Sequence, residues 1–456
     1  MVGSLLSLSF AVGYVQQDLP SQIESLLNQT ALKGASIGVY VENSTGKVIF
    51  ERDSQRRLLP ASNQKLISNL FALSTLGPDY VSETKVWKEN GSYYVEALGD
   101  PTMTSTRLRE AVASLGGKLP TAYLKQLYNP GVHGTWEIDD LPNRYAAPVS
   151  ALTIDRGSFE VWVDPTGFRQ LPRELKIRAW GGESTGTPRA RYDYWSGAVT
   201  MAGKPPTESK FVEAFALRKP AEAAGRFFAD KLQPSTKVFD RAPDLVLKSP
   251  ALADIAEDCL VRSDNLYAEN LLLMAGLKGM TGPIANPYEI ATAKCEEFLT
   301  KVVGWSGNPA RVTDGSGLSR QNLVTARGLV SLLNWSKTQP WYPRFYDALV
   351  SPGRGTLGNR LDGSTFRGKT GTLTGVISLS GFVQSIDGDT YTIALVVNNP
   401  TGSTATVRSI LDSIVRTIEG KKADGTNFAT LGPHDTSIAN RISYTSSRPS
   451  AVYWND

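Results

Sequence analysis

Apolar positions near the N-terminus change from a helical to an alternating period. A helical period over residues 21–32 is followed by two short alternating runs, 36–43 and 47–51, which a glycine-containing turn separates. This order predicts a helix and then a strand–turn–strand unit. Pro60 precedes a second helix, predicted over residues 62–76 because its apolar residues share one side. That stripe consists of Leu66, Leu70, Phe71 and Leu73.

A similar pattern closes the chain. Two apolar runs, 376–384 and 390–397, are joined through Asp387-Gly388, a dipeptide that hairpin turns favour. The helix predicted after them should cover a sheet face, because its apolar residues lie on one side. These residues are Val407, Ile410, Leu411, Ile414, Val415 and Ile418. Helix and hairpin at both ends, with helices between them, predict an α+β core that both ends of the chain close.

Residues 84–245 differ from the segments on either side in composition and in the pattern of apolar positions. Glycine, proline, tryptophan and tyrosine are frequent, predicted strands are short, and helical periods are confined to 106–115 and 220–232. Helical periods return afterwards, over 250–260, 266–276 and 288–303. We therefore predict one folded unit that a β-rich insertion divides into two segments of sequence.

Residues 2–15 are apolar, small and uncharged. The run is too short to span a bilayer, which needs about 20 apolar residues, but it has the length of a signal-peptide core. The basic segment that normally precedes such a core is missing, since the first basic residue is Lys33. We expect an exported protein, periplasmic or extracytoplasmic; the alternative is an apolar segment that docks on the domain.

Composition narrows the possible chemistry. Hydrophobic residues make up 41% and charged residues 20% of the chain, as in globular proteins. The net charge of +4 contains no block of like charges, so no nucleic-acid partner is expected. Two cysteines cannot build a disulfide scaffold or a four-thiolate zinc site. With only His133 and His434 available, hydrolytic chemistry would take its base from another residue type.

The first candidate for chemistry is Ser62-Asn63-Gln64-Lys65. Residues three apart share a helix face, so the hydroxyl and the amine can meet. The same spacing occurs at 44–47, in a predicted turn, and at 82–85, which opens a predicted strand. Only Ser62 begins an apolar-striped helix, whose N-terminal N–H groups favour developing negative charge. The alternative for Ser62 is a plain helix cap.

Two further motifs follow downstream. Ser263-Asp264-Asn265 falls on a predicted loop between two helices, and Lys369-Thr370-Gly371-Thr372 falls on a predicted strand. Alone, the first would be an exposed turn and the second a solvated strand edge. In the order S-x-x-K, S-D-N, K-T-G, the three motifs are the signature of class A β-lactamases and penicillin-binding proteins.

More specifically, the sequence closely resembles the class C low-molecular-mass penicillin-binding proteins, which are D-alanyl-D-alanine carboxypeptidases/endopeptidases. The resemblance covers about residues 20–420. Its hallmarks are LLPASNQKL (58–66), GDPT (99–102), APVSAL (147–152), SDNLYAEN (263–270), DGSGLSR (314–320) and GKTGTLTGV (368–376). It implies a serine-transpeptidase (β-lactamase-like) core, an antiparallel sheet flanked by helices, with two nested β-rich insertion domains.

We place the domain boundaries from this resemblance. The transpeptidase core comprises residues 18–83 and 247–420. The remaining segments are a truncated signal or apolar segment (1–17), the first insertion domain (84–164 and 235–246), the second insertion domain (165–234) and a C-terminal extension (421–456). Because 84–245 contains none of the motifs, changes there, for example at Arg189 or Trp195, are predicted to alter substrate choice more than acylation.

Residue chemistry and resemblance agree on the catalytic groups. Ser62 would attack the carbonyl group between two D-alanines and form an acyl-enzyme. The neutral amine of Lys65 is the candidate base, its pKa lowered by burial and by the nearby cation Lys369. By resemblance, Ser263 relays the proton to the leaving amine. The predicted catalytic residues are therefore Ser62, Lys65, Ser263 and Lys369.

The resemblance also implies the substrate-binding groups. Asn265 would hydrogen-bond the substrate amide, and the backbone N–H groups of Ser62 and Thr372 would form the oxyanion hole. Thr370 and Thr372, with Lys369, would hold the terminal carboxylate. The predicted substrate-binding residues are Asn265, Thr370, Gly371 and Thr372. Asp264 is expected to bond the loop backbone, and no metal or cofactor is expected.

The implied activity is that of a penicillin-sensitive, serine-type D-alanyl-D-alanine carboxypeptidase/endopeptidase. Its partners would be peptidoglycan stem peptides as substrate and β-lactam antibiotics as covalent inhibitors. One alternative is a β-lactamase or esterase on the same core, which the long insertion disfavours. Another is a non-catalytic peptidoglycan-binding protein, which the three intact motifs disfavour. The residues leave the oligomeric state open.

Cys259 and Cys295 are predicted on two helices of the core. If exported and paired, they would close a loop that contributes roughly 4 kcal/mol in the chain-entropy description. Two buried free thiols are the alternative, and we favour it.

Overall fold

The structure is a computed structural model that describes residues 18–175, 177–181, 185–307 and 310–420. The predicted signal segment (1–17) and C-terminal extension (421–456) lie outside these residues. Among the described residues, no helix combines the length and the apolar character that crossing a membrane requires.

The helices and strands lie in mixed order along the chain, with a run of strands in the insertion and a run of helices after it. The helices are α1 (Leu19–Leu27), α2 (Gln64–Leu76), α3 (Ser105–Ser114), α4 (Pro220–Gly225), α5 (Leu252–Arg262), α6 (Asn265–Gly276), α7 (Pro287–Glu297), α8 (Ala326–Ser336), α9 (Tyr342–Ala348) and α10 (Thr404–Ile418). The strands are β1 (Ser36–Glu42), β2 (Val48–Arg52), β3 (Glu83–Glu89), β4 (Ser92–Ala97), β5 (Leu119–Gln126), β6 (Ser158–Asp164), β7 (Gly167–Leu171), β8 (Arg178–Gly181), β9 (Arg189–Asp193), β10 (Ala198–Ala202), β11 (Lys210–Ala216), β12 (Ala229–Pro234), β13 (Leu245–Lys248), β14 (Arg367–Leu373), β15 (Val376–Gln384) and β16 (Thr390–Asn398).

A five-stranded antiparallel sheet in the order β14-β15-β16-β1-β2 forms the core. β1 pairs with β16 along its whole length, so the two ends of the chain close one sheet, as predicted. All six apolar residues predicted for one side of α10 are buried, and they cluster with residues of α1 and the sheet. A second apolar cluster includes α2, α5, α6 and α8. The α+β prediction is confirmed.

The insertion builds further sheets. One has the order β12-β5-β4-β3-β13, and two three-stranded sheets have the orders β11-β6-β7 and β8-β10-β9. The predicted boundaries of the two insertion domains do not follow this pairing. β6, assigned to the first domain, pairs with β7 and β11, whereas β12, assigned to the second, pairs with β5.

Two local predictions need correction. The helix predicted over 220–232 ends at Gly225, and Ala229–Pro234 forms β12 instead. Pairing with β5 at the sheet edge overrides the local helical period there, since strand formation depends on neighbours distant in sequence. The predicted elements also omit α8, which packs against β1 and β16.

Candidate active site

Ser62 lies where a tight turn enters α2. Ala61–Asn63 forms a turn of 3₁₀-helix that continues into α2, and Ala61 adopts a left-handed φ of 47°. Such a conformation costs about 1–3 kcal/mol and persists where the surrounding structure requires it. The neighbours of Ser62 on both sides are buried, whereas Ser62 is partly exposed. The Ser62 hydroxyl is therefore the group of this turn that a ligand can reach.

The amine of Lys65 is fully buried and contacts three oxygen atoms. Nζ lies 2.9 Å from Ser62 Oγ, 2.6 Å from Asn265 Oδ1 and 2.8 Å from the Ser316 carbonyl oxygen. A neutral amine has two N–H donors and one lone pair. Because the amide and carbonyl oxygens can only accept, they would take both donors of a neutral amine and leave its lone pair for the Ser62 hydroxyl, whereas an ammonium group would donate to Ser62 Oγ. This geometry suits proton transfer from Ser62 to Lys65.

The insertion orients the Asn265 amide. Its Nδ2 donates to the carbonyl oxygen of Tyr145 at 2.8 Å. A carbonyl oxygen accepts only from the NH₂ group, so Asn265 Oδ1 is left on the side of Lys65. Tyr145 thus determines which atom of Asn265 meets the amine, although none of the three motifs lies between residues 84 and 245.

Burial lowers the pKa of both lysines of the site. For Lys65, burial is the largest cause, and a buried thiol and carboxyl groups nearby act against it. For Lys369, burial and then the positive charge of Lys65 lower the pKa well below its ordinary value. Lys369 is not among the groups that lower the pKa of Lys65, so the predicted effect of Lys369 on Lys65 is not borne out; the charge of Lys65 lowers the pKa of Lys369 instead.

The S-D-N motif joins α5 to α6. Ser263 adopts a left-handed conformation, with φ 56° and ψ 40°, and Asp264 caps α6 by accepting the N–H of Tyr267. Asp264 also forms an ion pair with Arg156 of the insertion. These contacts agree with the structural role expected of Asp264. They hold its two neighbours, Ser263 and Asn265, in the site.

The K-T-G motif lies on β14, beside the turn that carries Ser62. A Cβ atom at Gly371 would lie 2.1 Å from Ser378 Oγ and 3.1 Å from the backbone nitrogen of Ser62. Only glycine lets the strand approach the nucleophile so closely. Lys369 Nζ lies 2.9 Å from Ser263 Oγ, so the second and third motifs are in direct contact.

The two threonines of this strand have partners that were not predicted. Thr370 Oγ1 lies 2.6 Å from Thr356 Oγ1, and Thr372 Oγ1 accepts a hydrogen bond from Arg408 Nη2 at 2.9 Å. Residues two apart on a strand point to the same face. Neither Thr356 nor Arg408 stands in a motif, so the sequence carries no signal for them.

A loop over residues 314–317 completes the site. Gly317 has a φ of 84°, and a Cβ atom there would lie 1.9 Å from the carbonyl oxygen of Ala61. Asp314 accepts the backbone N–H groups of Gly317 and Ser319 at 2.8 and 2.7 Å, which holds the loop in place. The stretch DGSGLSR marked this loop by resemblance, but the contact of its Ser316 carbonyl with Lys65 was not predicted.

The insertion reaches the site more directly than expected. Besides Tyr145 and Arg156, it supplies Trp136, whose Nε1 donates to Asp314 at 3.0 Å. These residues support the motifs themselves. The expectation that changes in residues 84–245 alter substrate choice more than acylation stays a prediction, and these three positions are where exceptions to it are expected.

Cys259 and Cys295 are both buried free thiols, which confirms the favoured alternative. Cys259 lies beneath the site, where its Sγ accepts from Asn69 Nδ2 at 3.3 Å. Burial raises the pKa of Cys259 to about 12, so its thiol stays protonated and unreactive near neutral pH.

Known proteins are similar to this chain over most of its length. The profile of the D-Ala-D-Ala carboxypeptidase 3 (S13) family matches residues 19–419. The chain is 29% identical over 448 residues to a D-alanyl-D-alanine carboxypeptidase of Actinomadura sp. (strain R39), covering 85% of this chain and 82% of that protein.

Its fold is similar to the crystal structure of penicillin binding protein 4 (DacB) from Haemophilus influenzae. The TM-score is 0.72 at 21% identity, with 87% of this chain and 98% of that chain covered. The same Haemophilus protein complexed with a β-lactam gives a TM-score of 0.68 at 21% identity, with 88% and 98% covered.

The resemblance drawn from the three motifs is thereby confirmed. The match extends over both segments of the core and over the insertion between them. The chain belongs to the D-Ala-D-Ala carboxypeptidase 3 (S13) family.

Proposed function

We propose that this protein hydrolyses the D-Ala-D-Ala end of peptidoglycan stem peptides through an acyl-enzyme on Ser62. Its family makes it a serine-type carboxypeptidase. One observation carries the assignment of residues. The Lys65 amine lies 2.6 and 2.8 Å from two oxygens that can only accept, Asn265 Oδ1 and the Ser316 carbonyl oxygen, and 2.9 Å from Ser62 Oγ, so its neutral form would direct the lone pair at Ser62.

Acylation begins at this contact. Ser62 Oγ attacks the carbonyl carbon of the penultimate D-alanine while its proton passes to Lys65 Nζ. The lowered pKa of Lys65 favours the neutral amine, which is the form that a base requires. The carbonyl oxygen becomes an oxyanion, for which the N–H groups of Ser62 and Thr372 are the proposed donors. Removing one such donor elsewhere has cost about 3–4 kcal/mol.

Departure of the terminal D-alanine needs a proton. The C–N bond breaks as the amine nitrogen receives the proton that Ser62 gave up, and Ser263 lies on the proposed route. Its hydroxyl is 2.9 Å from Lys369 Nζ, whose lowered pKa makes that amine able to exchange protons. Water then hydrolyses the ester and restores the Ser62 hydroxyl.

The terminal carboxylate is proposed to bind along β14. The hydroxyls of Thr370 and Thr372 share one face of the strand, and Arg408 donates to Thr372 Oγ1. A guanidinium remains protonated at every accessible pH, so it contributes a permanent positive charge beside this face. Asn265, held between Lys65 and Tyr145, is the proposed partner of the peptide amide.

β-Lactams are proposed to acylate the same serine, because their strained amide mimics the scissile bond and leaves the acyl group on Ser62. The Haemophilus influenzae structure with a bound β-lactam supports this extension. We also propose an extracytoplasmic location, where peptidoglycan is found.

The test combines a peptide substrate with a covalent probe. The protein is incubated with an N-acylated L-lysyl-D-alanyl-D-alanine peptide and assayed for free D-alanine. In parallel it is incubated with benzylpenicillin, and the adduct is mapped by mass spectrometry. D-Alanine release and an adduct on the Ser62 peptide are expected. Rapid penicillin turnover without D-alanine release would indicate a β-lactamase, and absence of any adduct would indicate a binding protein.

A further inference from the structure

Glu269 is a fully buried acid that the proposed mechanism does not use. It lies on α6, one turn after Asn265, and it stands in the SDNLYAEN stretch without an assigned role. Its side chain points to the loop 314–317 rather than to solvent. Oε2 accepts the N–H of Gly315 at 2.9 Å, and Oε1 accepts the N–H of Ser316 at 2.8 Å.

These two hydrogen bonds act on the residue that binds the general base. The peptide N–H of Ser316 is held by Glu269, and the carbonyl group of Ser316 accepts from Lys65 Nζ at 2.8 Å. A rigid carboxylate with two acceptor oxygens matches two successive N–H groups. The position of the Ser316 carbonyl, and through it that of the amine, thus depends on Glu269.

We propose that Glu269 is a positioning residue for the general base: by fixing the backbone of Gly315 and Ser316, it keeps the Lys65 amine aimed at Ser62. The inference rests on the proposed function, since it requires Lys65 to act as the base. The inference adds Glu269 to the residues that the reaction needs, although Glu269 contacts neither the substrate nor the reacting atoms.

Glu269 also affects the charge balance of the site. Burial, and then the charge of Asp314, raise the pKa of Glu269 to about 8. Tyr288 on α7 donates to its Oε2 at 3.0 Å, and Lys65 on α2 is close enough for ionised Glu269 to raise the lysine pKa. The remaining titratable groups on this side are Tyr128 and His133, both on the segment after β5 and both facing Tyr288.

The decisive variant is Glu269→Gln. An amide keeps the size of the side chain but has one acceptor oxygen, so one of the two backbone N–H groups would face an NH₂ group. We expect the first-order acylation rate with benzylpenicillin to fall about 10–100-fold, as when a general base is displaced. The dissociation constant of the complex before acylation should change less than threefold.

The pH profile gives a second readout. Above its pKa of about 8, the wild-type Glu269 carries a negative charge, which stabilises the ammonium form of Lys65. Its removal lowers the pKa of Lys65, so the midpoint of the acylation profile should move to lower pH by about half a unit or more. A purely structural role would lower the rate without moving the midpoint.

A matched control is Glu296→Gln. Glu296 accepts the backbone N–H of Val312 at 2.8 Å, near the same loop, but makes a single backbone bond that glutamine can also make. Its acylation rate and midpoint should equal those of the wild type. If Glu269→Gln does not fold, Glu269→Asp, which keeps the charge but is too short for both bonds, replaces it and should reduce the rate without lowering the midpoint.

Wild-type acylation separates the two proposals. A wild type that forms no adduct on Ser62 overturns the proposed function and with it this inference. An acylating wild type together with a Glu269→Gln protein of unchanged rate and midpoint overturns the inference alone. The inference is also overturned if the Glu269→Gln protein only binds benzylpenicillin more weakly, with a larger dissociation constant before acylation and an unchanged first-order acylation rate.

Discussion

The ion pair between Arg156 and Asp264 joins the insertion to the S-D-N motif, and we expect Arg156→Met to damage both stability and acylation. The side chains of Arg156 and Asp264 are 26% and 9% exposed, so most of the pair is out of water. Removing one partner of a buried pair costs about 3–5 kcal/mol, because the other charge remains buried. Because the Arg156 side chain is partly exposed, we expect Arg156→Met to lower the free energy of unfolding by about 3 kcal/mol, at the lower end of this range.

This loss of unfolding free energy can be converted to a change in the melting temperature, Tm. About 2.1 cal/mol/K of unfolding entropy per residue, over roughly 400 described residues, gives about 0.8 kcal/mol/K. The Tm should therefore fall by about 4 °C. Ser263 and Asn265 flank the freed Asp264, and a displacement of about 1 Å can slow a reaction about 100-fold. We expect a loss of that size in the acylation rate with benzylpenicillin.

Two variants serve as comparisons. Arg169 pairs with Asp164 at 2.9 Å within the same insertion, with side chains 29% and 27% exposed, but the pair does not involve a motif residue. Arg169→Met should therefore acylate like the wild type. Asp264→Asn keeps an oxygen that can cap α6 but leaves Arg156 without its charge partner, so it should also be slow.

Stopped-flow acylation and differential scanning fluorimetry measure both effects on the same samples. The double variant Arg156→Met/Asp264→Asn should be more stable than the sum of the single losses implies, because neither buried charge is left alone. An Arg156→Met protein with wild-type Tm and wild-type acylation would refute the claim that the insertion supports the motif loop.

Other expectations concern the catalytic residues and the thiols. Ser62→Ala should abolish the penicilloyl adduct and leave the Tm within about 1 °C, as expected for one partly exposed hydroxyl; an adduct on this variant would assign the nucleophile elsewhere. Lys65→Arg should acylate at least about 100-fold slower, because a guanidinium cannot accept the proton. The wild-type rate should rise with pH, since the neutral amine is the active form, through a midpoint below the ordinary ~10.4 of lysine; a flat profile from pH 5 to 9 with an active arginine variant would exclude Lys65 as the base. Cys259 and Cys295 should both react with a thiol reagent in denaturant and neither in the native protein; two unreactive cysteines in denaturant would indicate a disulfide.

Local sequence patterns predicted the elements that hold the site. The one-sided apolar residues of α10 and the alternating runs of β15 and β16 are properties of short windows, and burial in the core sheet follows them. Prediction failed at β12, where a helical period became a strand because its pairing partner, β5, lies about a hundred residues earlier.

In the candidate site, too, local contacts could be predicted from short windows of the sequence and contacts between distant segments could not. Ser62 and Lys65 share a helix face, so their contact follows from spacing alone. That Ser263 and Lys369 meet, 106 residues apart, could be expected only from the order of the motifs and the resemblance. Tyr145, which orients the Asn265 amide through its carbonyl group, could not be found in this way, because any residue type offers a carbonyl.

The sequence alone predicted the type of reaction and the residues that are proposed to carry it. Three motifs in order supply two serine hydroxyls, two amines and an amide, and the sequence offers only His133 and His434 as histidine alternatives to an amine base. Only the tertiary structure decided how these groups are tuned. The contact of the Lys65 amine with the Ser316 carbonyl, the lowered pKa of Lys65 and the hydrogen bond from the Ser316 N–H to Glu269 all depend on burial and on backbone atoms. Backbone groups are identical in every residue, so their contacts leave no trace in the order of side chains until the chain is folded.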